Sequence, residues 1–124
     1  MSQKDTNDVA FSRPGGEASG EAHGRPIDMA HLARQTMGDR ALEQEIISLF
    51  LQQAGHVGEM IAQAAPDECR QLAHRLIGSA RGVGAFAVAD CAAEIQTRPD
   101  DQEAKRRLAR LIDEVRDFVA SIGR

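Results

Sequence analysis

The sequence predicts an all-α protein: an antiparallel, up-down four-helix bundle with a short extra helix before it and a disordered N-terminal tail. Three observations carry this. From Ile27 onward the composition turns to Ala, Leu, Ile, Arg and Glu, with apolar residues recurring at helical spacing. No stretch of alternating β-branched residues argues for a strand. The 124 residues suffice for one hydrophobic core and are too few for two, and four long amphipathic helices joined by short turns can bury their stripes only against one another.

Residues 1–26 hold Pro14, Gly15, Gly16, Gly20, Gly24 and Pro26 among small polar and charged side chains, with Val9 and Phe11 almost the only sizeable apolar groups. This is the expected tail, and residues 27–124 form the domain. Asp28 can cap a first helix from Met29 to about Met37, which Gly38 ends. The second helix follows Asp39 and carries Leu42, Ile46, Leu49, Phe50, Val57, Met60 and Ile61 at helical spacing, reaching about Ala64. Pro66 suits the first position of the third helix, with Asp67 and Glu68 against the positive end of its dipole, and Gly82 and Gly84 stop it near Val83. The fourth covers about Ala85 to Thr97 and closes at Arg98-Pro99, because the residue before a proline avoids helical geometry. Asp100 with Glu103 three residues later reads as a capping box for the fifth, whose stripe is Leu108, Leu111, Ile112, Val115, Phe118, Val119 and Ile122.

Composition narrows the function. With 15 Lys+Arg against 19 Asp+Glu, the net charge of -4 leaves no cationic surplus for nucleic acid, and an aromatic content of 3% without Trp or Tyr leaves no stacking platform. No apolar run is long enough for a signal peptide or a membrane span. Cys69 and Cys91 show no CxxC or Cys/His spacing, and in a hairpin turning at Gly84 they are offset by about 12 Å, too far for a disulfide. They read as small core residues of a reduced, cytoplasmic protein. The chain has no GxxxxGK[ST] loop for ATP, and His23, His31 and His56 lack the ExxH pairing of a metal-binding bundle, so they read as surface or tail residues. A monomer without bound metal or cofactor is expected.

The third helix carries the feature that stands out. Cys69, Leu72, Ala73, Leu76, Ala80 and Val83 line its core face. His74 lies roughly 200° from both Leu72 and Leu76 and points to solvent, on a strip shared with Arg70, Gln71, Ile77, Gly78 and Arg81. A glycine at position 78 costs about 1 kcal/mol relative to alanine unless something must approach closely. An exposed imidazole is largely neutral at pH 7 and has a nitrogen lone pair for nucleophilic attack.

The run Ala73-His74-Arg75-Leu76-Ile77-Gly78-Ser79-Ala80-Arg81, followed by Val83-Gly84-Ala85, resembles the active-site helix of histidine-containing phosphotransfer (HPt) domains of two-component phosphorelays. More loosely, the resemblance covers about residues 27–122: the Ile27-Asp28 start, Gly38-Asp39 before the long second helix, Leu49-Phe50-Leu51 and the terminal amphipathic helix. It implies that His74 is a phosphoacceptor, taking a phosphoryl group from a receiver-domain aspartate and passing it to another receiver. The implied partners are the receiver domains of a hybrid histidine kinase and of a response regulator, with Mg2+ on the receiver and none on this chain. The protein would be a phosphocarrier and not an enzyme.

Family members often carry lysine three residues after the histidine, where this chain has Ile77; Arg81 or Arg70 could supply positive charge instead. Some place a glutamine on the next helix, and Gln96 matches it. His74 lies ten residues before Gly84 and Gln96 twelve after it, so in an antiparallel hairpin their heights differ by about 3 Å. Gln96 is then either a partner of the imidazole or its phosphate, or a boundary residue of the fourth helix. Arg70, Gln71, Arg75, Ile77 and Gly78 form the expected docking surface, although Arg75 reads equally well as part of a solvated face. The alternative function is a helical adaptor that binds a receiver or a partner helix without accepting phosphate.

Overall fold

A computed structural model of the protein describes residues 24–123. The expected disorder of residues 1–26 falls almost wholly on residues 1–23, outside the described residues. The described chain is helical throughout, with five helices: α1 (Met29–Thr36), α2 (Arg40–Gln63), α3 (Pro66–Val83), α4 (Phe86–Thr97) and α5 (Gln102–Ile122). Neighbours in sequence pack together from α2 to α5, and α5 packs back on α2, which closes the four-helix ring. α1 lies across α2 and α3. The closest pairing is that of α3 with α4. Both helices bury small residues, Ala73 and Ala80 on α3 and Ala89 and Ala92 on α4, which suits a close approach of their axes.

Local chemistry sets the helix ends. The Asp28 carboxylate accepts from the His31 N–H at 3.1 Å, and that of Asp39 accepts from the Leu42 N–H at 3.0 Å. Pro66 opens α3 at its first turn, and Gly84 ends it in the left-handed region at φ 87°. A side chain there would place Cβ 2.9 Å from the carbonyl oxygen of Asp28. This closeness has a purpose, because Asp28 N–H donates to Gly84 O at 2.9 Å and so ties the segment before α1 to the α3–α4 turn.

Two expectations are corrected. The cap of α5 is Asp101, accepting from Ala104 N–H at 3.0 Å, and not Asp100. Pro99 and Asp100 occupy the middle of a turn closed by Asp101 N–H donating to Arg98 O at 3.1 Å, which moves the helix start by one residue. On α2 the buried stripe is Glu43, Ile47, Phe50, Ala54, Val57 and Ile61, whereas Leu42 and Leu49 are exposed. Alternate steps of four and three residues keep that stripe on one seam; Leu42 and Leu49, seven apart, share the flank roughly 100° away. The buried Glu43 is held by Thr36, whose hydroxyl donates to its Oε2 at 3.1 Å.

The core face of α3 is as expected: Cys69, Leu72, Ala73, Leu76, Ala80 and Val83 are all buried. A fully enclosed side chain such as Leu72 or Leu76 contributes about 1.5–3 kcal/mol, so this face anchors α3 and holds its opposite face at a defined orientation. Cys69 and Cys91 are free and buried, donating to Pro99 O at 3.6 Å and Ala104 O at 3.2 Å. Burial pushes both thiols above their ordinary range. Among the described residues no helix is long and apolar enough to cross a membrane.

Candidate functional site

His74 is the ninth of the 18 residues of α3, far from either frayed end, and its side chain is exposed. The core residues two positions to either side, Leu72 and Leu76, pin the backbone that carries it. Across the α3–α4 hairpin, half-buried Gln96 places its Nε2 3.2 Å from His74 Nδ1. The helix-height arithmetic is thus met by a real contact, made possible by the close α3–α4 packing.

Arg70, Gln71, Arg75 and Gln96 line an open surface depression around His74. Arg70 and Gln71 stand on the turn before His74, the side toward which helical side chains tilt, and share the depression with it. Arg70 is engaged by Asp67, its Nη1 lying 2.7 Å from the carboxylate Oδ1. Gly78 is exposed on the other side of the histidine, and a Cβ placed on it would meet nothing within 4 Å.

Two residues expected around the histidine stand elsewhere. Ile77 is in the core, with only 8% of its surface exposed, and is not part of the docking strip. It lies roughly 60° around the helix from His74, at the edge of the apolar arc, and the neighbouring helices extend the core far enough to cover it. Arg81 is exposed but does not line the depression; it stands in the last turn of α3, about 10 Å along the axis from His74, where it complements the helix dipole.

The other histidines differ from one another. His56 is exposed, whereas His31 is half-buried with its ring edge-on to Phe86 at a centroid distance of 5.2 Å, which corrects the expectation that it is a surface residue. His23 lies outside the described residues. Among the described residues no group of three or more His, Cys, Asp or Glu side chains is placed to hold a metal ion.

The site therefore offers an accessible ring nitrogen, a polar partner for the other ring nitrogen, two flanking guanidinium groups and an open approach over Gly78. The model of the Hpt domain matches residues 45–118, more than half of the chain, and spans α3 and α4 with the whole depression. Neither the curated proteins nor the solved structures gave a match. Hpt domains carry out histidine-based phosphotransfer in two-component systems and interact with the receiver domains of response regulators. On this match the chain belongs to the Hpt domain family.

Proposed function

We propose that His74 accepts a phosphoryl group from the aspartyl phosphate of one receiver domain and passes it to the aspartate of another. The observation that carries this reading is the exposed imidazole at mid-helix whose Nδ1 is met by Gln96 at 3.2 Å. A 180° turn of the Gln96 amide presents its Oε1 to an Nδ1–H, which leaves Nε2 with a free lone pair pointing away from α4. Nε2 then attacks phosphorus in line, the N–P bond forms as the P–O bond to the aspartate breaks, and the electron pair leaves on the carboxylate oxygen. The Nδ1 proton stays on the ring, held by Gln96, so the transfer needs no general base. The reverse sequence charges the second receiver.

Such a transfer proceeds through a loose transition state that demands positioning and charge compensation more than covalent assistance. Here the core face of α3 supplies rigidity, Gly78 leaves clearance for the receiver surface, and Arg70 and Arg75 supply positive charge toward an acidic receiver mouth. Mg2+ belongs to the receiver. The chain acts as a monomeric phosphocarrier in the cytoplasm, between a hybrid kinase and a response regulator.

The adaptor reading is favoured by one observation, the apolar Ile77 where relatives often carry lysine. Incubation with a receiver domain charged by phosphoramidate separates the two: acid-labile label on the wild type and none on His74→Gln is the expected result. Binding of the receiver without label on either protein would establish the adaptor.

A further inference from the structure

The position three residues after His74 is closed to a phosphoryl group, because Ile77 faces the core. Negative charge arriving on the imidazole must be met by another cation. Three arginines of α3 are within consideration, and the geometry separates them. Arg81 stands about 10 Å along the axis toward the C-terminus and does not line the depression that holds His74. Arg75 lines the depression but is the next residue along, roughly 100° around the helix, on its flank. Arg70, one turn before His74 on nearly the same meridian, lines the same depression as the imidazole.

Arg70 is not idle. Its guanidinium is paired with Asp67 at 2.7 Å, in an i,i+3 contact with 49% and 93% of the two side chains exposed. So exposed an ion pair is weakly held against water and salt. A phosphoryl group has up to two negative charges and three acceptor oxygens, which suit the planar guanidinium fork better than one oxygen of a solvated carboxylate.

Resting on the reading of His74 as the phosphoacceptor, we infer that Asp67 and Arg70 form an exchange pair. Asp67 holds Arg70 beside the depression in the unmodified chain, and the guanidinium transfers to the phosphoryl oxygens once His74 is charged. No bond is made or broken beyond the transfer itself; only hydrogen-bond partners change. Asp67 is left solvated about 10 Å from His74 along the axis, near the screening length at physiological salt. The pair therefore sets how the phosphoryl group divides between His74 and the receiver: Arg70 favours His74, and Asp67 competes against it.

The test is the equilibrium distribution of phosphoryl label between the full chain and a receiver domain charged with phosphoramidate, compared for wild type, Arg70→Gln, Asp67→Asn and Arg81→Gln. Arg70→Gln is expected to move the distribution about five- to tenfold toward the receiver, Asp67→Asn about two- to threefold toward His74, and Arg81→Gln hardly at all. The side-chain Nε–H resonance of Arg70 should also move when His74 is charged, a response that a residue serving only to stabilise the helix would not give. Normal charging of His74 with a distribution indifferent to residues 67 and 70 overturns this inference alone. Failure of the wild type to accept label from any donor overturns it together with the proposed function.

Discussion

Replacing Gly78 by alanine should make the protein more stable and worse at phosphotransfer, and both effects follow from the space around that residue. Position 78 is the thirteenth of 18 in α3, well inside the helix, where glycine costs about 0.8–1.0 kcal/mol relative to alanine. A Cβ at that position would meet nothing within 4 Å, so no clash reduces the gain. For a domain of this size, about 1 kcal/mol raises the melting temperature by roughly 4–8 °C, readable by circular dichroism. In a complex with a receiver the same methyl group would enter an occupied interface, and overpacking of that kind costs about 1–3 kcal/mol, or roughly 5- to 150-fold in docking. Transfer kinetics from a charged receiver measure this loss. Gly82, also open on all sides, serves as the comparison: Gly82→Ala should spare transfer because it lies two turns beyond His74. A stabilised Gly78→Ala protein with undiminished transfer would refute the docking role of the glycine; a destabilised one would refute the account of the space around it.

Further outcomes follow from the helix ends and the core. Asp101→Ala should lower stability by about 1 kcal/mol in urea unfolding while Asp100→Ala changes it little, because only Asp101 accepts a hydrogen bond from the first turn of α5. Because burial raises both cysteine pKa values, the folded protein keeps its thiols protonated at a pH where the unfolded chain releases those protons; the contribution of the thiols to stability should therefore be full at neutral pH and be lost as pH rises beyond about 8.5. In the native state neither thiol should react with Ellman's reagent at pH 8 except at the rate of unfolding, and immediate labelling of either would contradict its enclosure.

Much of the fold was legible in the sequence because its signals are local. Asp28, Asp39, Pro66 and Gly84 each act on the backbone within a few residues, and the helices begin and end where they direct. The matching heights of His74 and Gln96 were legible for a related reason, because a tight turn at Gly84 makes height along two antiparallel helices a matter of counting; that Gln96 meets the ring, one of its two readings, is decided by the packing of α3 on α4. The features that escaped depend on neighbours. Ile77 sits on the margin of the apolar arc of α3, and only the packing of adjacent helices decides on which side of that margin it falls. Glu43 is no part of the apolar stripe expected of α2, and its burial depends on Thr36 of α1 being brought against it. The one-residue shift from Asp100 to Asp101 comes from a turn centred on Pro99, which competes with the capping box for the same aspartate. The Asp67–Arg70 pair has the visible spacing of an i,i+3 contact, but its bearing on His74 needs the position of the depression.

The most direct measurement is to locate the phosphoryl group itself. The full chain, charged by a phosphorylated receiver and digested under alkaline conditions that preserve phosphoramidates, should carry the modification on the peptide containing His74 and on no other. Modification confined to His31, His56 or a carboxylate, with the His74 peptide unmodified, would contradict the account.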